Sequence, residues 1–242
     1  LSSGWSRRVR SPWAVTAAVA VVVVAAACAP LPPAPQSAAP KVYLTFDDGP
    51  SVYTPQILSV LRSKGVGATF FVVGEHATQF PSYVQQESTE GMVVGDHTWD
   101  HPDLTTLSPE QVRSELESAA DEIESLTGER PTLWRAPYSL TNATVNEVAS
   151  SLGLTRVGAD VNSRDYSEPG TDAIVSAVLD NVHDGSIVQL HDGSPDDSED
   201  RSQTAAALPT IIDELRARGY ELDTVHAGTS AAARADEVVI RA

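Results

Sequence analysis

The stretch "VYLTFDDGP", residues 42–50, decides the fold. A short apolar run reads as a strand, and it ends in two adjacent carboxylates, Asp47 and Asp48, before the turn signal Gly49-Pro50. Neighbours on a strand point to opposite faces, so adjacent acids there rarely share one task. Like charges this close also resist joint ionisation. A cation held nearby would relieve that repulsion.

Working outward, strand-like and helix-like runs alternate. The strand-like runs are 42–46, 68–74, 92–95, 132–136, 154–159, 186–191 and 220–225. Between them, residues 54–63 put Ile57, Leu58 and Leu61 on one helical face. Residues 108–127 open on "SPEQ", an N-cap Ser with Pro at the first helical position. Further helices are expected at 143–152, 171–182 and 204–218. Such alternation, with strands apolar on both faces, predicts a parallel α/β architecture. Six or seven units in roughly 190 residues suit an incomplete β/α barrel better than a full eight-fold one. An open flavodoxin-like parallel sheet is the alternative.

Before this region the chain reads as targeting sequence. Arg7, Arg8 and Arg10 precede a continuous apolar run at 13–29. That order makes residues 1–29 a secretory signal, a lipoprotein signal or an N-terminal anchor. "AAAC" places small residues before Cys28, as a lipobox does, although Ala25 stands where Leu is usual. Residues 30–40 form a Pro/Ala-rich linker, 41–226 a single catalytic domain, and 227–242 a loose tail. The expected location is extracytoplasmic, secreted or tethered to the outer face of the membrane through Cys28 lipid or the apolar segment. The net charge is −17, and the three Arg of the leader leave 13 basic against 33 acidic residues beyond it. With no basic stripe to meet phosphates, nucleic acid is excluded as a partner. Cys28 is the only cysteine, which excludes an internal disulfide and a cysteine-rich zinc site.

Chemistry in such folds sits at the carboxyl ends of strands. The polar groups there are Asp47-Asp48, His97 and His101 of "GDHTWDHPDL", Arg135 of "RAPY", Asp165 of "ADVNSRDY" and His191 of "LHDG". Two His at i and i+4 fall on one side of a helical turn and can chelate one metal, though alone the pattern is more often two surface histidines. Asp48 as a third ligand makes a two-His, one-carboxylate set with a position open for water. Asp47 could then serve as general base, held ionised by Arg135. His191 beside Asp165 could donate a proton to a leaving group. His76, His183 and His226 read as ordinary surface or core histidines.

These motifs, in this order, resemble the polysaccharide deacetylases of carbohydrate esterase family four: "TFDDGP" (45–50), "HTWDHP" (97–102), "RAPY" (135–138), "DVNSRDY" (160–166) and "LHDG" (190–193). The stretch 200–212 is similar to the family's final helix. The resemblance implies a distorted (β/α)7 barrel and metal-dependent removal of acetyl groups from sugars. It implies Asp47 as base, Asp48, His97 and His101 as metal ligands, His191 as acid, and Arg135 and Asp165 as their orienting partners. It further implies that the backbone N–H of Tyr138 stabilises the oxyanion, that Leu190 lines the pocket for the acetyl methyl, and that Tyr166 shapes the groove wall in place of the family's usual Trp. Ala136 and Ser139 also depart from the family's Pro and Gly, and Asp96 from its common Asn.

The expected activity is removal of N-acetyl groups from β-1,4-linked N-acetylglucosamine in peptidoglycan or chitin, with metal-bound water as nucleophile. The alternatives are an acetylxylan esterase of the same family, or an inactive carbohydrate-binding relative. One divalent ion is expected, zinc first, with cobalt, nickel, iron and manganese also acceptable to the ligand set. The expected partner is an N-acetylated glycan, and the expected state a monomer.

Overall fold

The structure, a computed structural model, describes residues 1, 3–5, 39–196 and 198–228. The leader at 1–29, the linker at 30–40 and the tail at 227–242 fall almost wholly outside those residues. Contacts divide the chain between Ser37 and Ala38, and the unit beginning at Ala38 is the folded body described below. Among the described residues no helix is long and apolar enough to cross a membrane.

The elements run β1 (Lys41–Gly49), α1 (Thr54–Lys64), β2 (Thr69–Val72), α2 (Gly74–Gln79), α3 (Pro81–Thr89), β3 (Val93–Asp96), α4 (Pro109–Thr127), β4 (Leu133–Trp134), α5 (Ala143–Ser151), β5 (Thr155–Arg156), β6 (Val161–Asn162), α6 (Thr171–Leu179), β7 (Ser186–His191), α7 (Ser202–Ala217) and β8 (Glu221–Asp223). All strand pairs are parallel, and the strands lie in the order β5-β4-β3-β2-β1-β7-β6. Written around a circle, that order counts from one to seven with a single cut between β5 and β6. A doubly wound open sheet would instead start in the middle and reverse. The fold is therefore a distorted (β/α)7 barrel with a seam, and the flavodoxin-like alternative is set aside. β8 pairs with the start of β1, Lys41 to Tyr43, below the point where β2 joins at Thr45.

β1 is the axis of this sheet, and every residue from Val42 to Gly49 is buried. Its apolar side chains Leu44 and Phe46 pack with α1 and α7, and Phe46 stacks on Phe70 of β2 at 5.0 Å between ring centres. The expected start of α4 is present as a capping box. Ser108 Oγ accepts from the Gln111 N–H, and Gln111 Oε1 accepts from the Ser108 N–H at 3.0 Å.

Two local readings are corrected, and two helices are added. The strand expected at 68–74 stops at Val72, and Val73 caps α2. The single strand expected at 154–159 is a two-residue β5 followed by a break and a separate β6, because the chain crosses the barrel seam there. The helices α2 and α3, whose apolar spacing is irregular, had no clear sequence signal beyond Pro81 at the first position of α3.

Candidate active site

Parallel strands deliver their carboxyl ends to one rim, and a cavity of about 850 Å³ opens there. Its lining includes Asp47, Asp48, His97, His101, Arg135, Tyr138, Tyr166, Gln189 and His191. Residues 156–159 and Asn162, on either side of the seam, form another part of the wall.

The adjacency of the two acids is resolved by the end of β1. The register against β2 slips between Asp47 and Gly49, and Asp48 takes a left-handed backbone with φ 68°. This bulge breaks the strict alternation of a strand, so both carboxylates reach one cavity. The turn is packed tightly from below. A Cβ at Gly49 would land on the Asp192 carboxylate, and one at Gly193 on the Asp48 carbonyl. His76, buried in α2, donates from Nδ1 to the Asp48 carbonyl at 2.8 Å.

His97 and His101 lie in the loop after β3, not on a helix. Thr98 and His101 have φ of 71° and 61°, so the spacing works through an irregular turn rather than a helical one. His97 donates from Nδ1 to the Arg135 carbonyl at 2.8 Å, which turns Nε2 toward Asp48 and the cavity. Nε2 of His97 and of His101 each sit 3.2 Å from the same oxygen, Asp48 Oδ1. In a tetrahedral zinc site with bonds near 2.0–2.1 Å, ligand atoms stand about 3.3 Å apart, so these three donors fit such an ion. The three are buried and form the one metal-capable cluster found among the described residues. Burial alone would push the Asp48 carboxyl up. Hydrogen bonds from His101 and His97 and the charge of His191 outweigh it and hold the group well below its usual range. Burial likewise depresses His97, and the Asp48 hydrogen bond with the Asp47 charge raises it overall.

Asp47 is 1% exposed and held at both oxygens. Arg135 Nη1 donates to Oδ1 at 2.6 Å, and Gln189 Nε2 donates to Oδ2 at 2.7 Å. Arg135 is itself fixed by Thr45 Oγ1 and the Val157 carbonyl, and it lies 4.2 Å over the Phe71 ring.

His191, at the end of β7, is tied to Asp165 by ring and backbone. Asp165 also accepts from Ser163 Oγ and Thr204 Oγ1. Burial depresses the His191 imidazole, but the charge and hydrogen bond of Asp165 dominate and lift it to about 9. Fully buried Arg201 braces this corner, donating from Nε to the Gly193 carbonyl at 2.7 Å and pairing with Glu199.

Tyr138 and Tyr166 are exposed on the cavity wall, edge-on to His101 and His191 respectively. Leu190 is placed differently. Strand alternation turns it away from the face carrying Gln189 and His191, and it is fully buried in the core with Phe46. It is not among the residues lining the cavity. Sequence reasoning missed Gln189, Asn162 and Arg201, while His76, read as an ordinary surface or core histidine, is a buried one that holds the Asp48 carbonyl. Only Gln189 carried a signal, a polar residue inside an apolar strand two positions before His191.

Comparison with known proteins agrees with this geometry. The family model described as polysaccharide deacetylase matches residues 34–157. A chitooligosaccharide deacetylase of Sinorhizobium fredii is 42% identical over 190 residues, covering 75% of this chain and 88% of that protein. The peptidoglycan-N-acetylglucosamine deacetylase PgdA of Listeria monocytogenes is 37% identical over 186 residues, covering 76% of this chain but 38% of that longer protein. The family 4 carbohydrate esterase from Streptomyces lividans, solved with acetate, superposes with a TM-score of 0.71 at 37% identity, covering 77% of this chain and 93% of that one. On this combination of fold and sequence, the chain belongs to the polysaccharide deacetylases, the hydrolases of carbohydrate esterase family four.

Proposed function

We propose that this enzyme removes N-acetyl groups from β-1,4-linked N-acetylglucosamine in chitin-type or peptidoglycan glycans. The observation that carries the reading is one cavity holding three sets of groups. They are a buried carboxylate fixed by Arg135, a three-donor metal cluster, and a His191–Asp165 pair. The activities for which the relatives are named support the amide substrate.

Asp48, His97 and His101 would hold one divalent ion, zinc first. Such an ion polarises a carbonyl and lowers the pKa of water beside it. The remaining work falls to the chain. Asp47 takes the proton from the attacking water as that water adds to the acetyl carbonyl. The N–H of Tyr138 faces the oxygen that gains charge. His191 donates its Nε2 proton to the leaving nitrogen as the C–N bond breaks, so acetate and a free amine depart. Tyr138 and Tyr166 offer aromatic faces to the sugar rings. Because the substrate classes of the relatives lie outside the cytoplasm, the leader at 1–29 fits export, with Cys28 as a tether and a monomeric domain at 41–226.

The test is acetate release by the purified, zinc-loaded protein from N-acetylglucosamine oligomers and acetylated xylan side by side, with a chelated control. Chelator-sensitive release from the oligomers is expected. Release from xylan alone would move the enzyme to ester cleavage. No release from either, with metal bound, would make it a binding protein.

A further inference from the structure

Gln189 sits on β7 beside Asn162 of β6 and Thr45 of β1, all in register. It shares the cavity face with His191, two residues along the same strand. Its amide joins a chain of hydrogen bonds with one direction. The backbone N–H of Arg164 donates to Asn162 Oδ1 at 2.7 Å. That fixes the Asn162 amide, because a backbone N–H must meet the oxygen and not the nitrogen. Asn162 Nδ2 then donates to Gln189 Oε1 at 3.3 Å. With its oxygen so engaged, Gln189 turns Nε2 toward the base and donates to Asp47 Oδ2 at 2.7 Å.

We propose that Gln189, oriented by Asn162, is a positioning residue that sets the rotamer of the Asp47 carboxylate for proton transfer. The inference rests on Asp47 being the base. Arg135 holds Oδ1 alone, and a carboxylate held at one oxygen still swings about its Cβ–Cγ bond. The donor on Oδ2 stops that rotation and holds the carboxylate at both oxygens at the cavity wall. Neither amide ionises, so the chain keeps its direction across pH.

Three variants test this. Gln189→Met keeps the side-chain length and removes the donor. It should lower kcat roughly tenfold to a hundredfold, the worth of one hydrogen bond to a charged group, with KM and zinc affinity unchanged. Asn162→Asp replaces a donor by an acceptor at an exposed position where misfolding is not an issue. Its new carboxylate should pull Nε2 of Gln189 toward itself and turn Oε1 against Asp47, so kcat falls by a similar factor. In the double variant, Asn162→Asp should cost almost nothing beyond Gln189→Met, since its effect travels through the missing amide. A merely structural role predicts multiplied losses or a shift in KM, and either result overturns the proposal. So does wild-type kcat in Gln189→Met while Asp47→Asn is inactive. Wild-type turnover in Asp47→Asn would instead remove the base assignment itself, and the positioning role with it.

Discussion

Asp165 grips His191 at two points: the ring Nδ1 donates to Oδ1 at 2.6 Å and the backbone N–H to Oδ2 at 2.8 Å. The double contact fixes the ring and aims Nε2 at the cavity. His191 is lifted above its ordinary 6.5 to about 9 by Asp165 against the opposing effect of burial. The imidazolium is thus kept well past neutral pH, as the proposed role of acid for a leaving amine requires. A raised histidine contributes stability in full below 6.5 and loses it as pH rises through about 9. Asp165→Asn should move the alkaline limb of kcat to lower pH and cut the plateau at least roughly tenfold. A pH–rate profile checks this, and an unmoved limb would dissociate His191 from Asp165.

The proposed ligand and proton-transfer roles separate by metal binding. His97→Ala and His101→Ala should weaken zinc binding by at least roughly a hundredfold, since each removes a donor atom outright. Asp47→Asn and His191→Ala should bind zinc nearly as the parent does, with turnover lost by several orders of magnitude. Calorimetric titration of zinc into the stripped protein reads the first effect. Equal affinity in all four variants would argue against the cluster as the metal site.

The Asp47–Arg135 pair is buried at both ends, with side chains 1% and 3% exposed. Removing one member strands the other without water, a loss of about 3–5 kcal/mol. Arg135→Met should therefore lower the urea midpoint sharply. Arg135→Met combined with Asp47→Leu should recover much of that stability, though not activity. An additive loss in the double variant would show that the pair is not the source of the cost.

Glu87 in α3 is fully buried, and neither carboxylate oxygen has a hydrogen-bond partner among the described residues. Burial, reinforced by the charge of Asp192, pushes its pKa well above the ordinary 4.5. A raised carboxyl binds its proton more tightly folded than unfolded. Its effect on stability therefore worsens as pH rises above 4.5 toward the folded-state value. Glu87→Met should stabilise the protein by ~1–3 kcal/mol at pH near 8 and by much less at acid pH. Melting curves at the two pH values decide it. A gain independent of pH would point to packing instead.

The barrel was legible because strand and helix runs differ in period, and because parallel strands gather their carboxyl ends. From that rule Asp47, Asp48, His97, His101, Arg135 and His191 could be placed on one rim before any geometry was known. What stayed hidden depends on backbone departures with no periodic trace. The β1 bulge at Asp48, the left-handed turn at His101 and the break between β5 and β6 leave no spacing signature. The helical reading of the His97–His101 spacing failed for that reason, since two left-handed residues let an irregular turn bring the rings together. Leu190 shows the converse. Strand alternation alone would have sent it to the face opposite His191, and the resemblance overrode that simpler argument. His76 and Arg201 act through backbone carbonyls, His76 on one 28 residues away and Arg201 on one 8 residues away, which residue type does not reveal.

Asp48, His101 and Tyr138 share one further property: all hold φ between 57° and 68°. A side chain in that region costs about 1–2 kcal/mol that glycine does not. Replacing His101 by glycine would then relax the backbone while deleting a donor, and the inactive protein could be the sturdier one. A search for heat-tolerant variants of this enzyme, left to sort by survival of the fold alone, would drift toward glycine at these positions. Screens for durability here need turnover as a second filter, because the site is built where the chain is least comfortable.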